Sequence, residues 1–347
     1  MLRALRASGV VTILALSIVG PGALVAAGDD GPPRTSRTDR PTRTVLRPAE
    51  LPDRSRPVVA KQSDKIVVIL VSGIGSDVRD STFDALISAL GSDPRYEIHR
   101  FGGDPAHPYD TRGSLDANAD QLTAEIRELA KTHPKIEIVA HSMGGAVVDE
   151  AFRRGLSASD KVESYVALAV PHRGSTEARV GQAFLWLSEL LGVRTEFRAI
   201  TAGVKEDVDS RAAHDLAGLR AGPPPAGVTR FDLRIATDGI VTAPDARTPN
   251  VVSRTLLPST IPALEGHGGA LTDPFAIELI AATVASGKAP APDTRSWPLQ
   301  VATGEVSDLF ARLAPLIYVG ALGLALCGAC VLARYRRFGR AIGLAVR

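Results

Sequence analysis

The sequence predicts an α/β protein with a mostly parallel central sheet and helices on both of its faces. Between about residues 63 and 287, short apolar runs alternate with segments of helical length. The first run, Ile66–Val71, is apolar throughout, which is typical of a strand that is buried on both faces. Apolar residues at helical spacing follow several of these runs, and strands that are separated by helices form parallel sheets.

Each element is marked by the spacing of its own apolar residues. The predicted strands are Ile66–Val71, Tyr96–Phe101, Ile136–Ala140, Tyr165–Val170 and Phe231–Ala236. The predicted helices cover Phe83–Leu90, Leu115–Leu129, Gly144–Arg153 and Phe275–Ala285. The last helix is preceded by Asp273-Pro274, which supplies an N-cap and a first-turn proline.

Residues 176–230 interrupt this alternation. Phe184, Leu187 and Leu191 form an apolar stripe at helical spacing within the segment. The stripe fits a helical cap, or lid, over a site at the sheet edge. It fits an ordinary core-packed helix equally well.

The N-terminal segment predicts export. Residues 1–27 combine two arginines, the apolar run Val10–Val19, a Gly-Pro-Gly break and small residues, as in a signal peptide. An uncleaved signal anchor is the alternative interpretation. Residues 28–62 are rich in Pro, Arg and Thr and lack a hydrophobic period, so we expect a disordered linker there.

The C-terminal segment predicts a membrane span. A second linker is expected over residues 288–312. The 21 residues of Leu313–Ala333 that follow carry no charge and are long enough to cross the hydrocarbon of a bilayer. The tail 334–347 holds five arginines, and the positive-inside rule predicts that it is cytoplasmic. We therefore expect a single-pass protein of the cell membrane whose main domain is extracytoplasmic.

Charge and cysteine content narrow the function classes. The formal net charge is +2, but the excess of basic residues lies in 1–62 and 309–347, and residues 63–308 are acidic on balance. An acidic domain is a poor partner for phosphate backbones, so nucleic-acid binding is excluded. The two cysteines, Cys327 and Cys330, are too few for a disulfide scaffold. No histidine spacing fits a metal site, so we predict neither metal nor cofactor. The oligomeric state is not predicted.

The sharpest motif is Ala140-His141-Ser142-Met143-Gly144-Gly145, in which a predicted strand runs through a small-residue turn into a predicted helix. A nucleophile elbow requires this context, because it exposes the serine hydroxyl above the sheet edge. The pentapeptide alone also fits a serine N-cap on an ordinary helix. The flanking strand and helix favour Ser142 as a nucleophile.

A glycine turn, Ser72-Gly73-Ile74-Gly75-Ser76, follows the first strand. Such a turn can aim the backbone N–H of Ile74 at the serine, where it would form an oxyanion hole with the N–H of Met143. A phosphate-binding turn is the competing interpretation, but the rest of a dinucleotide fingerprint is absent.

The acid and base of a serine triad follow the nucleophile in this chain order. Asp238 lies in the turn Thr237-Asp238-Gly239, which directly follows the predicted strand Phe231–Ala236, and we predict that it is the acid. The alternative is an Asp-Gly turn whose carboxylate only caps the backbone. His267 stands between glycines just before the last helix, and we predict that it is the general base. His172 also ends a strand at this edge and is the rival base, but it precedes the acid. His141 directly precedes Ser142, so its side chain should point away from the serine.

In these motifs the sequence resembles the α/β-hydrolase superfamily, in its bacterial lipase and esterase branch. The elbow AHSMGG, the turn SGIGS, the motif PHRGS at 171–175, the acid turn TDGIV and the segment GHGGALTDP occur in family order over about residues 65–285. The oxyanion turn of such lipases often begins with His, where this chain has Ser72. The resemblance implies a structural role for the Pro-His turn that contains His172.

These observations predict a membrane-tethered, extracytoplasmic serine hydrolase that acts on carboxylic esters, with an acyl-ester or lipid substrate and an acyl-enzyme at Ser142. Two other functions fit the sequence. One is an acyltransferase that uses the same triad with an alcohol acceptor, and the other is an inactive binding module on the hydrolase scaffold.

Overall fold

The computed structural model describes residues 63–345, except 77–80, 202–209, 237, 239, 243–244, 247, 249–250, 257–265, 270 and 289–296. The predicted export signal (1–27) and the predicted linker (28–62) lie outside the described residues, as does the first part of the linker predicted over 288–312.

Within the described part of the chain, six strands form one sheet, and all five strand pairs are parallel. The strands are β1 (Ile66–Val71), β2 (Tyr96–Arg100), β3 (Lys135–His141), β4 (Val162–Leu168), β5 (Thr229–Ile235) and β6 (Val252–Leu256). Their spatial order is β2-β1-β3-β4-β5-β6. The direction of strand addition reverses after β2, so the carboxyl ends of β1 and β3 border a crevice of the kind where open α/β sheets bind ligands.

Helices connect the strands and cover the sheet. They are α1 (Asp84–Gly91), α2 (Leu115–Leu129), α3 (Met143–Arg153), α4 (Thr176–Leu190), α5 (Arg194–Ile200), α6 (Arg211–Gly218), α7 (Gly266–Gly269), α8 (Pro274–Ser286) and α9 (Trp297–Ala345).

Two hydrophobic clusters lie on opposite faces of the sheet, because successive side chains of a strand point to opposite faces. Val67 and Ile69 of β1 pack with Leu122 of α2 in one cluster. Val68 of β1 packs with Leu86 of α1 and with residues of α8 in the other. The predicted fold class, with its helices on both faces, is confirmed.

The structure differs from the sequence-based expectation in several elements. Strand β6 was not predicted. The described residues of the 176–230 insertion include the helices α4 to α6, and its last residues already belong to β5. Helix α9 begins at Trp297, so residues 297–312, predicted to be a linker, are helical.

Helix α9 is the one helix among the described residues that is long and apolar enough to cross a membrane, over Arg312–Phe338. A core helix of a soluble protein can pass the same test. Part of α9 packs on the insertion: Ala329 is fully buried beside Leu185 of α4 and Phe197 of α5. Several of its large apolar side chains, including Leu316, Val331 and Phe338, are exposed.

Candidate active site

Ser142 lies in a sharp turn between β3 and α3. Its backbone has φ 57° and ψ −130°, a conformation that residues with a side chain rarely adopt. The Ser142 N–H donates to the carbonyl oxygen of Leu168 at 3.0 Å, which ties the turn to the neighbouring strand β4. The serine hydroxyl therefore projects from the carboxyl edge of the sheet, where the elbow was predicted.

Small residues around the turn are required by close contacts. A Cβ built on Gly144 would lie 2.7 Å from the carbonyl carbon of Val71 and nearer still to the carbonyl oxygens of Val71 and Ser72. A Cβ on Gly73 would lie 2.9 Å from that of Ser142. The end of β1, the turn after it and the start of α3 are thus in mutual contact.

His267 connects the serine to a carboxylate. The Ser142 hydroxyl donates to Nε2 of His267 at 2.8 Å, and Nδ1–H of His267 donates to Oδ2 of Asp238 at 2.7 Å. The carboxylate can only accept, so the proton of the neutral imidazole is on Nδ1 and Nε2 is free to accept. The structure brings together Ser142, His267 and Asp238, which are 125 and 29 residues apart along the chain.

Asp238 is held in place by the backbone that follows it. Its other carboxylate oxygen, Oδ1, accepts from the N–H groups of Ile240 at 2.9 Å and Val241 at 2.8 Å. Burial alone would lower the pKa of His267. The charge of Asp238 and its hydrogen bond, with a contribution from Glu177, outweigh burial, and the net pKa of His267 is raised. The buried carboxylate thus stabilises an imidazolium at this position.

The turn after β1 lies against the serine and is fastened from a second loop. The N–H of Gly75 donates to Oγ1 of Thr111 at 3.1 Å, and the hydroxyl of Tyr109 donates to the carbonyl oxygen of Ser72 at 3.2 Å. Ile74 lies within this turn. Met143 is the first residue of α3, where backbone N–H groups have no partner within the helix. The two residues predicted to form an oxyanion hole therefore flank the nucleophile on elements that approach it.

His141 has a contact that the sequence analysis missed. Its Nε2–H donates to the backbone carbonyl of His267 at 3.0 Å, and the two imidazole rings lie 4.8 Å apart. Burial, and then the positive charge of His267, lower the pKa of His141 to about 3. His141 is therefore neutral at ordinary pH. The signal that could have revealed it is its position at the end of β3, at the edge of the sheet that faces the base.

His172 lies away from the serine in a buried group of charges. Its Nδ1–H donates to Asp149 at 2.6 Å and its Nε2 faces Asp232 at 3.4 Å. Arg230 contacts both carboxylates. Among the described residues no group of His, Cys, Asp or Glu is arranged to hold a metal ion.

A model of the lecithin:cholesterol acyltransferase family matches residues 104–184, the part of the chain that contains β3, the elbow and α3. This match, the parallel sheet order and the strand–elbow–helix turn decide the fold. The chain has the α/β-hydrolase fold. It is the fold class to which the matched acyltransferase family belongs.

Three solved structures that match this chain share less than a fifth of its sequence. The mature lipase of Bacillus licheniformis is 18% identical, with a TM-score of 0.44, over 65% of this chain and 96% of its own. Lipase B of Aspergillus fumigatus is 17% identical, with a TM-score of 0.43, over 85% of this chain and 73% of its own. A thioesterase of prodiginine biosynthesis from Streptomyces coelicolor is 17% identical, with a TM-score of 0.41, over 67% and 92%. No curated protein matches this chain.

Proposed function

We propose that this protein is a serine hydrolase that cleaves carboxylic esters through an acyl-enzyme on Ser142. The observation that carries the proposal is the hydrogen-bonded series from Ser142 through His267 to Asp238 at the nucleophile elbow. The three residue types, their contacts and their chain order are those of a serine triad on this fold.

In the proposed reaction, Nε2 of His267 takes the proton of the Ser142 hydroxyl as Oγ attacks the ester carbonyl carbon. The negative oxygen that develops accepts from the backbone N–H groups of Ile74 and Met143. His267 then donates its proton to the departing alcohol oxygen, which leaves an acyl ester on Ser142. Water, deprotonated by His267, attacks that ester. The imidazolium then returns the proton to Oγ of Ser142 as the carbon–Oγ bond breaks and the carboxylic acid leaves. Asp238 keeps the imidazole in the Nδ1–H tautomer and stabilises its charged form.

The test is a fluorophosphonate probe together with a graded series of p-nitrophenyl esters on the full chain in detergent. We expect covalent labelling and ester turnover, both abolished in Ser142→Ala. His107→Gln is the matched control, since it removes an exposed histidine outside the hydrogen-bonded series and should keep probe labelling. Labelling that persists in folded Ser142→Ala contradicts the nucleophile assignment, and absence of labelling in the unsubstituted chain supports an inactive module.

Acyl transfer is the second candidate, because the family model that matches the elbow describes an acyltransferase. The acyl-enzyme is common to both reactions, and only the acceptor differs. Adding a long-chain alcohol to the ester assay distinguishes them. Hydrolysis predicts free acid as the main product at all alcohol concentrations, whereas transfer predicts an ester product that exceeds the acid.

We also propose that α9 tethers the domain to the outer face of the cell membrane. The apolar stretch over Arg312–Phe338 and the arginines at its end support this arrangement. Protease added to spheroplasts should digest the domain without lysis. A domain that is cleaved only after lysis contradicts the proposed topology.

A further inference from the structure

A group of four charged residues is buried beneath the active-site edge and takes no part in the proposed reaction. It consists of Asp149, His172, Arg230 and Asp232, whose side chains are all about 2% exposed or less. We call it the buried charge cluster. It joins three parts of the fold: Asp149 is on α3, His172 is in the turn between β4 and α4, and the other two residues are on β5.

The contacts leave little freedom in assigning protons. Arg230 donates through Nε to Oδ1 of Asp232 at 2.8 Å and through Nη1 to Oδ1 of Asp149 at 3.2 Å. A third group, Nη2, donates to Thr248 at 2.7 Å. Guanidinium is always charged in proteins, and each carboxylate accepts from it. The arginine balances one of the two negative charges and leaves the other without compensation.

His172 faces both carboxylates, one with each ring nitrogen. Nδ1 lies 2.6 Å from Oδ2 of Asp149, and Nε2 lies 3.4 Å from Oδ1 of Asp232. A neutral imidazole has one N–H and one lone pair, so one of its nitrogens would direct a lone pair at a carboxylate oxygen. An imidazolium donates from both nitrogens and cancels the remaining charge.

We propose that His172 is an imidazolium at neutral pH that makes the buried charge cluster electrically neutral, and that it is a positioning residue. Asp149 lies two turns along the helix that begins next to Ser142, and Asp232 lies on the strand that precedes Asp238. The cation between them fixes the spacing of the nucleophile helix and the strand that carries the acid. Protonated on both nitrogens, His172 has no lone pair with which to act as a base.

The electrostatics agree with this proton count. Burial alone would lower the pKa of His172, but the charge of Asp149 and the hydrogen bonds to both carboxylates outweigh burial and Arg230, and the pKa is raised. Burial alone would raise the pKa of Asp232, but His172 and Arg230 outweigh it, and that pKa is lowered. From β4, the ring of Tyr165 lies beside the guanidinium of Arg230, 5.6 Å from it. The Tyr165 hydroxyl donates to the carbonyl oxygen of Gly145 and stays neutral, because burial raises its pKa.

A raised pKa of His172 fixes the sign of the pH dependence. The stability that the proton contributes is complete below the ordinary histidine value of 6.5 and is lost as the pH rises through the raised value. The free energy of unfolding should therefore fall as the pH rises through the raised pKa of His172. A chain without His172 should not show this fall.

The direct test is nitrogen NMR of the full chain labelled in its seven histidines and carrying Ser142→Ala. The resonances that disappear in His172→Gln belong to His172. We expect both of its ring nitrogens to carry protons at pH 7.5. A single protonated nitrogen, the mark of a neutral tautomer, overturns the proposal. Because the chain is inactive, this result does not depend on the proposed function.

Charge-balanced variants test the role of neutrality. His172→Gln leaves one negative charge unbalanced, and its thermal midpoint should fall by roughly 10 °C, since an unpaired buried charge is strongly destabilising. The double variant His172→Gln/Asp232→Asn is neutral again and should recover at least half of that loss. His172→Gln/Asp104→Asn, which removes an exposed carboxylate, changes the net charge equally and should recover none. A charge-balanced variant no more stable than His172→Gln overturns the proposal.

The positioning effect rests on the proposed function and is measured separately. In the active chain, His172→Gln should lower kcat for a short ester about tenfold while KM changes little, and the charge-balanced double variant should restore most of kcat. If kcat is unchanged in folded His172→Gln, the cluster does not position the triad. If no variant turns over ester while the NMR result holds, the proposed function has failed and the imidazolium assignment stands.

Discussion

Gly144→Ala adds one methyl group at the most crowded point of the site. The new Cβ would meet the carbonyl groups of Val71 and Ser72, which belong to the end of β1 and the start of the turn after it. Both obstacles are backbone, so no side chain can turn away to make room. The first turn of α3 and the turn that contains Ile74 must therefore move apart.

The size of that movement follows from the contacts. The Cβ would stand 2.7 Å from the carbonyl carbon of Val71, whereas ordinary contact begins near 3.4 Å. A displacement of roughly 1 Å of the two backbone donors relative to the serine is enough to lower the rate about 100-fold. The overpacking itself destabilises by about 1–3 kcal/mol, which lowers the thermal midpoint by several degrees in a domain of this size.

The assay is the kinetics of a short p-nitrophenyl ester together with a thermal melt. We expect kcat of Gly144→Ala to fall about 100-fold, with KM changed far less, because the oxyanion donors act on the transition state. Gly91→Ala, at the end of α1, is the matched control: its Cβ meets nothing within 4 Å, and its activity should be unchanged. A folded Gly144→Ala chain with kcat within twofold of the unsubstituted chain would refute the proposed geometry.

Three further predictions concern the base and the turn beside the serine. Turnover needs neutral His267, so kcat/KM should fall as the pH drops below the raised pKa of His267. Asp238→Asn should lower that pKa, which moves the acid limb of the pH profile to lower pH, and should reduce kcat about 10⁴-fold. An acid limb that moves to higher pH contradicts the assignment. His141→Phe removes the donor to the backbone carbonyl of His267 and should reduce kcat roughly tenfold, the value of one lost hydrogen bond. His141→Gln keeps an N–H donor, so its kcat should fall less. Equal losses of kcat in the two variants argue against the contact. Thr111→Val frees the N–H of Gly75 and should also lower kcat roughly tenfold, while Thr111→Ser should retain it; a Val variant as active as the Ser variant refutes that link.

Local sequence patterns predicted most of the sheet. β1 is apolar at every position because both of its faces are covered, and such a run has one simple interpretation. β6 was missed because Val252–Leu256 reads Val-Ser-Arg-Thr-Leu and forms the outer strand, where only Leu256 is buried. An edge strand leaves little hydrophobic signal. β4 begins at Val162, three residues before the predicted start at Tyr165. The prediction began late because the exposed Glu163 interrupts the apolar run of the strand.

The candidate site was predicted wherever a residue type, a turn and chain order agree, as they do for Ser142, Asp238 and His267. Contacts between distant segments could not be read in this way. His141 contacts a carbonyl 126 residues away, and no local pattern encodes that distance. At the level of sequence, chain order and the structural role that the resemblance implies for the Pro-His turn separated His267 from His172. The structure adds a physical reason, since carboxylates face both ring nitrogens of His172.

The base of the proposed triad stands on the four-residue helix Gly266–Gly269, whereas Ser142 stands on a buried elbow between a central strand and a helix. Short exposed segments open locally at a small fraction of the free energy that unfolds a core. An opening of α7 would withdraw His267 from Ser142 while every strand of the sheet stayed paired. Activity would then be lost by local opening of α7 and not by unfolding of the domain. On heating, turnover would cease at a lower temperature than the cooperative unfolding that circular dichroism detects. On cooling, turnover would return without refolding of the sheet.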